Sequence, residues 1–199
     1  MVARGDLGME IPAQKVFVAQ KWMIKKARKV GKPVITATQM LESMVKSPLP
    51  TRAEASDVAN AVLDGSDCVM LSGETAGGLF PLQSLEIMGK ICDEAEYAMN
   101  SAKDFNDLQR HIASLPESER EDLLPRKNRY QEAIAMAAVQ LSFQINSKVI
   151  IVITKSGRMA KLLSKYRPNA YIVAISLIDA SIKSLTIYFG VHCLRVPSF

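Results

Sequence analysis

The first hundred residues repeat one pattern of apolar and polar positions three times. A short apolar run closes in small or polar residues, and a helix-length segment follows. Met1-Val2-Ala3 closes in Arg4-Gly5-Asp6, with room for a short helical turn over Gly5-Asp6-Leu7. A helix then starts near Pro12 or Ala13, since proline suits the first turn, and runs to about Val30 before Gly31. Pro33-Val34-Ile35-Thr36-Ala37 closes in Thr38-Gln39, and a helix over about Ala53 to Leu63 ends at Gly65. Cys68-Val69-Met70-Leu71 closes in Ser72-Gly73-Glu74, followed by a helix from about Pro81 to Asn100. Runs without alternation predict strands buried on both faces. Strand alternating with helix predicts a parallel sheet, either open or part of a (β/α) barrel.

From Ser101 to Lys127 the chain turns polar and charged, as in Pro116-Glu117-Ser118-Glu119-Arg120-Glu121-Asp122. This predicts a solvated connection with some helical content. A second α/β block opens near Arg129. A helix is expected over Tyr130 to Phe143, and the β-branched run Lys148 to Ile153 predicts a central strand. Thr154-Lys155-Ser156-Gly157-Arg158 turns into a helix that ends near Tyr166-Arg167-Pro168. Strands are expected at Tyr171 to Ile175 and Val191 to Val196, with a helix between them over Asp179 to Phe189.

Composition narrows the function. The chain has 199 residues, 48% of them hydrophobic, enough for a core in one or two domains. A net charge of +5 suits a protein that handles phosphorylated anions. Basic residues are not interleaved with aromatics, and aromatics make up only 6%, so nucleic acid is not expected as a partner. No apolar run is long enough for a secretory leader or a bilayer span, so no membrane partner is expected either. Cys68, Cys92 and Cys193 match no zinc or redox spacing and point to a reducing compartment, the cytosol; Cys68, inside an apolar run, reads as a buried thiol. His111 and His192 have no nucleophile near them in sequence, which leaves proton chemistry to lysine, carboxylates or hydroxyls. Met40, Met44, Met70, Met88 and Met99 read as core filler.

Reactive groups of parallel α/β folds gather at the carboxyl ends of the strands. Here those ends carry Asp6, Thr38, Ser72 and Glu74. Asp6 is a hard oxygen ligand suited to Mg²⁺. Gly5 lets backbone approach a ligand, and free N–H groups of a helical turn favour a carboxylate or phosphate. Each residue also has an ordinary alternative: Asp6 as a helix cap, Thr38 bonded to local backbone, Ser72-Gly73 as a plain turn.

The wording of the segments is more specific. Met1-Val2-Ala3-Arg4-Gly5-Asp6-Leu7-Gly8 with Ile11-Pro12, then Gly31 through Met44, Pro50-Thr51-Arg52-Ala53-Glu54 with Asp57 through Val62, and Asp67 through Ala76 appear consecutively. Together they resemble the pyruvate kinase family, closely over residues 1–100 and more loosely from Arg129. The resemblance implies the last three βα units of a (β/α)8 TIM barrel over 1–100 and a connection over 101–128. An incomplete α/β C-terminal domain with a mostly parallel sheet is implied over 129–199. It implies phosphoryl transfer from phosphoenolpyruvate to ADP, giving pyruvate and ATP, the last step of glycolysis. It implies Asp6 as a ligand of Mg²⁺ or Mn²⁺, and substrate contacts from Arg4, Gly5, Asp6 and Thr38. Thr38, Ser72 and Glu74 would serve catalysis, with Thr38 near the face where the enol is protonated. Arg52 would lie in a subunit interface of the family tetramer. The lysine and second metal-binding carboxylate of the preceding barrel strand, the lid domain, and the K⁺ ligands are expected outside these residues.

The Thr154-Lys155-Ser156-Gly157-Arg158 turn lacks the second glycine and Gly-Lys-Ser/Thr element of a Walker A loop. Its residues alone allow either a capped turn or an anion site. The resemblance implies a loop for a sugar-phosphate or nucleotide effector. Met159, Ser176-Leu177 and Tyr188-Phe189-Gly190 depart from the family pattern around it. Two other readings compete: a non-catalytic phosphate-binding regulatory module, and a different phosphoenolpyruvate-handling barrel such as a lyase. The Ala37 to Met44 and Leu71 to Ala76 strings weigh against the second.

Overall fold

The structure, a computed structural model, describes residues 1–119 and 129–198. The part of the polar connection from 120 to 128, including Arg120, Glu121 and Asp122, lies outside the described residues. The chain divides into two compact units, Met1–Arg28 with Pro33–Met99, and Lys29–Lys32 with Asn100 onward.

The first unit alternates strand and helix as the apolar runs predict. Strand β1 (Val2–Ala3) leads into helices α1 (Arg4–Glu10) and α2 (Ala13–Lys29). Strand β2 (Ile35–Ala37) is followed by a 3-10 turn (Glu42–Val45) and α3 (Arg52–Leu63). Strand β3 (Cys68–Met70) precedes α4 (Gly73–Ala76) and α5 (Pro81–Ala98). The three strands form one parallel sheet in the order β1-β2-β3, with Val2 opposite Thr36 and Ala37 opposite Met70. All three carboxyl ends therefore point the same way, which is what a shared rim requires. Met40, Leu41, Met44, Val58, Ala61 and Met88 make one buried cluster; Val2, Ile24 and Val34 make another. Met40, Met44 and Met88 are core filler, as read from sequence. Cys68 is in no disulfide and is half-buried rather than buried, because β3 is only partly covered.

One carboxylate fixes the approach to α3. The Thr51 side chain accepts from the Glu54 N–H, and Glu54 accepts from the Thr51 N–H at 2.8 Å, a reciprocal capping box. Glu54 also accepts from the Ser43 N–H at 2.7 Å and the Ser43 hydroxyl at 2.6 Å. It thus ties the 3-10 turn to the helix start. Burial works to raise the Glu54 pKa, but the hydrogen bonds from Ser43 and Thr51 outweigh it and hold the group at about 2.

The second unit contains α6 (Ser101–Ser114), α7 (Arg129–Gln144), β4 (Val149–Ile153), α8 (Arg158–Lys165), β5 (Tyr171–Ser176), α9 (Asp179–Leu185) and β6 (Val191–Arg195). Its sheet is parallel, in the order β4-β5-β6. The β-branched run over Lys148 to Ile153 predicts a central strand, but β4 lies at the edge of the described sheet. Val149, Ile151 and Ile153 are exposed, while Val152 faces the core. Strong β propensity marks a strand without saying how many neighbours it has. The expected polar connection begins with a true helix: Phe105 of α6 is buried with Ala135, Val139, Leu163 and Tyr166, its ring 5.7 Å from that of Tyr166.

A polar knot sits in this core. Lys165 Nζ donates to Glu132 Oε1 at 2.6 Å and the Tyr166 hydroxyl to the same oxygen at 2.5 Å, joining α7 to α8. Burial, then the Glu132 charge, pushes the Tyr166 phenol far above its ordinary value, so it remains a donor.

Glu54 gives a stability signature with a definite sign. Its folded pKa lies below the ordinary 4.5, so its contribution is complete above that pH and fades as pH falls toward 2. In urea unfolding between pH 5 and 2, Glu54→Gln is expected to be less stable at pH 5 and to show a shallower acid decline. Parallel curves for the two proteins would contradict this.

Candidate active-site rim

The end of β2 carries the least ordinary backbone in the first unit. Thr38 has φ 72° and Gln39 φ 52°, both left-handed. That conformation is unusual for any side chain and a real outlier for a β-branched one, costing about 1–3 kcal/mol. It turns the chain sharply at the strand end and leaves the Thr38 and Gln39 carbonyls to be held from outside the strand.

Arg4, the first residue of α1, holds them. Its Nη2 donates to the Thr38 carbonyl at 2.8 Å and the Gln39 carbonyl at 3.0 Å, and its Nε to the Thr38 carbonyl at 3.2 Å. The remaining arm, Nη1, lies 2.5 Å from Asp57 Oδ2 on α3. A planar guanidinium with donors in a fixed fork can serve two carbonyls and a carboxylate together; an ammonium cannot.

Thr38 and Gly5 complete the joint. The Gly5 N–H donates to Thr38 Oγ1 at 2.7 Å, and that hydroxyl donates to the Ala37 carbonyl at 2.6 Å. Gly5 lies in the first turn of α1, where amides have no intrahelical acceptor. A Cβ on Gly5 would come 3.5 Å from Thr38 Oγ1, an ordinary contact, so the joint is made by the Gly5 amide and not by the missing side chain. Asp6, the next residue, carries an exposed carboxylate.

Glu74 joins the third strand end. It is fully buried, and its Oε1 accepts from the Leu41 N–H at 3.0 Å while Oε2 accepts from the Ser72 N–H at 2.8 Å. Both oxygens are committed to backbone, one beyond β2 and one beyond β3. Glu74 therefore positions the rim rather than facing solvent, and Ser72 serves through its amide.

Direct hydrogen bonds bring together Arg4, Gly5 and Thr38, with Asp6 alongside in the same turn, and link Ser72 to Glu74. Arg52 is exposed at the first position of α3. Asp57 and the Leu41 amide are parts of the rim that sequence reasoning did not identify; their partners are more than 30 residues away, so no local spacing marks them. A cavity of about 510 Å³ lies behind the joint, lined by Arg4, Gln39, Asp57 and Phe17 among others, with none of Asp6, Thr38 or Glu74 on its wall. It is not the cleft of the rim. Among the described residues no group of three or more His, Cys, Asp or Glu is placed to hold a metal, so Asp6 offers one ligand, not a cage. Thiol chemistry finds no support at Cys92: burial first, then Glu96 and Asp93, push it up to about 11. No helix among the described residues is long and apolar enough to cross a membrane.

In the second unit, the Thr154-to-Arg158 turn is built from its own residues. The Gly157 N–H donates to Thr154 Oγ1 at 3.0 Å, and Gly157 has φ 74°. A Cβ there would lie 3.1 Å from the Leu185 side chain, so both conformation and space select glycine. The Ser181 hydroxyl donates to the Lys155 carbonyl at 2.7 Å. Lys155, Ser156 and Arg158 are exposed at the start of α8.

Three parallel strand ends joined into one rim, followed by a second parallel α/β unit, define an α/β chain of barrel type with an appended domain. Family models agree: "Pyruvate kinase, barrel domain" matches residues 1–85 and "Pyruvate kinase, alpha/beta domain" matches residues 132–199. The chain belongs to the pyruvate kinase family. It is 51% identical over all 199 residues to a pyruvate kinase of Eimeria tenella, of which it covers 35%. It is 53% identical over 175 residues to a cytosolic pyruvate kinase isozyme of Glycine max, with 88% of this chain and 32% of that protein covered. A crystal structure of a Cryptosporidium parvum pyruvate kinase superposes with TM-score 0.88 at 48% identity, covering 98% of this chain and 37% of that one. The chain thus spans about a third of the length of the curated relatives it matches.

Removing Glu74 tests the joint between β2 and β3. Glu74→Ala leaves the buried Leu41 amide and the half-buried Ser72 amide unpaired and is expected to cost roughly 2–4 kcal/mol. Amide exchange at Leu41 and Ser72 should accelerate together; protection retained at both would show that other groups hold the rim.

Proposed function

We propose that this chain supplies part of the active site of a pyruvate kinase, which transfers the phosphoryl group of phosphoenolpyruvate to ADP. The observation that carries the reading is the Gly5–Thr38 hydrogen bond, which sets the Asp6-bearing turn beside the strand end that bears Thr38. In this reading Asp6 is the chain's ligand to Mg²⁺ or Mn²⁺. A single exposed carboxylate fits that role, because Mg²⁺ is commonly bound by one or two carboxylates with substrate oxygens completing the shell. The metal, when bound, neutralises charge on the phosphoryl group and on the enolate left behind. Monovalent K⁺ would be held by residues outside this chain.

The chain's own residues orient the substrate. The first-turn amide of Asp6 is a donor suited to the substrate carboxylate, whereas the Gly5 amide, given to Thr38 Oγ1, would serve the substrate only by leaving that bond. Arg4 serves through its hold on the Thr38 and Gln39 carbonyls rather than as a free cation. The Thr38 hydroxyl lies at the rim where the enolate carbon takes up a proton after the phosphoryl group has left. Glu74 and Ser72 keep the β2 and β3 ends in register. Arg52 on the exposed start of α3 is assigned to a subunit interface of a homo-oligomer, and the barrel portion ends near residue 100. A cytosolic location is inferred from relatives named as cytosolic isozymes.

Two measurements test this. A chimera in which this chain replaces the matching segment of the Eimeria tenella relative should turn over phosphoenolpyruvate, whereas the 199-residue chain alone should not. In the chimera, Asp6→Asn should lower kcat by two or more orders of magnitude and raise the Mg²⁺ needed for half-maximal rate. An inactive chimera, or unchanged kinetics on Asp6→Asn, would remove the assignment.

The Thr154-to-Arg158 turn favours a second role, binding of a phosphorylated effector, because exposed Lys155, Ser156 and Arg158 surround a helix start. Calorimetry with sugar phosphates and with AMP should give heat that Lys155→Ala abolishes. Equal heat from both proteins would leave the turn a structural cap.

A further inference from the structure

We infer that Asp57 is a positioning residue for the rim, acting on Thr38 through Arg4. The part of this inference that concerns catalysis rests on the function proposed above. Three observations carry it. Thr38 and Gln39 adopt a left-handed backbone that their own side chains disfavour, so something outside the turn must hold it. Arg4 makes three hydrogen bonds to the two carbonyls of that turn. A guanidinium free to swing could instead face the adjoining cavity, whose wall includes Arg4 itself. Nη2 also lies 2.9 Å from Met40 Sδ, and the remaining arm, Nη1, meets Asp57 Oδ2 at 2.5 Å, a charged partner that braces the fork from α3 against that swing.

Asp57 is hydrogen-bonded to Arg4 and has no hydrogen bond to Gly5, Asp6 or Thr38. Its effect runs from α3 to the Arg4 fork, to the Thr38 carbonyl, and so to the direction of the Thr38 hydroxyl that accepts the Gly5 amide. The Asp57 side chain is 40% exposed and that of Arg4 10%. A half-exposed carboxylate adds little to global stability. Loss of Asp57 should therefore misplace the Thr38 hydroxyl without unfolding the unit.

The test uses amide hydrogen exchange on the 199-residue chain, comparing wild type with Asp57→Ala and Asp57→Asn. The Gly5 amide should exchange at least tenfold faster in both variants. The Leu41 and Ser72 amides, held by Glu74 on the other side of the turn, serve as internal controls and should stay within twofold. An unchanged Gly5 rate overturns the inference, as does a parallel rise at all three amides, which would mean general loosening. If Asp57→Ala does not fold, Asp57→Asn, which keeps the shape and loses the charge, decides the same question. In the active chimera, Asp57→Asn should lower kcat tenfold or more with KM for phosphoenolpyruvate changed less than threefold, and Asp57→Glu should restore part of kcat. A loss confined to KM would reassign Asp57 to substrate binding. An inactive wild-type chimera would count against the proposed function while the exchange result still judged Asp57.

Discussion

The rim depends on one guanidinium holding two carbonyls of a turn that would not otherwise keep its shape. Thr38 and Gln39 end β2 in left-handed conformations, and the cost of that backbone is of the order of 1–3 kcal/mol per residue. Three hydrogen bonds from a charged donor, two of them half-buried at the Thr38 carbonyl and worth about 1.5–3 kcal/mol each, are enough to offset it. The turn is therefore a product of long-range contacts. Its sequence alone would favour extended or right-handed backbone.

The other strand ends follow the same rule. Glu74 accepts amides from beyond β2 and beyond β3, and Glu54 accepts amides and hydroxyls from the 3-10 turn and the start of α3. Each carboxylate is spent on neighbouring backbone or hydroxyls and gives rigidity to the strand ends. Asp6, by contrast, stands exposed in the first turn of α1. The acids thus differ in what they hold: Glu54 and Glu74 bind loops and helix starts, and the Asp6 carboxylate faces solvent.

This division explains what could be read in advance. Strand and helix order was legible because apolar runs punctuated by Pro12, Gly31, Gly65 and Pro81 carry it locally, and α2, α3 and α5 fall within a residue or two of the expected limits. The parallel sheets follow from that alternation. The edge position of β4 was not legible, since composition records strand propensity and not the number of neighbours. Nor was the burial of Phe105 in the second core, because α6 is mostly polar and shows only one stripe to it. At the rim, residues were named from their strand ends, but most of the contacts that hold them were not. The family resemblance makes Arg4 a substrate contact and Glu74 a catalytic group, while their long-range partners Asp57, Thr38 and Leu41 lie 33 to 53 residues away. Side-chain to backbone bonds of that separation leave no trace in periodicity.

The same geometry separates stability from positioning. The Lys165–Glu132–Tyr166 knot is buried, so losing one member leaves a charge or a hydroxyl without its partner in a dry core, and the cost falls on folding. Asp57, at 40% exposed, is open to water, which can replace its carboxylate, so the free energy at stake in its pairing with the mostly buried Arg4 is modest. Water in that place can solvate the Nη1 arm, but it cannot brace the fork from α3. A contact that contributes little to stability can therefore still decide where a hydroxyl points, and wherever a side chain has to meet a reacting group, an ångström of misplacement outweighs a kilocalorie of stability.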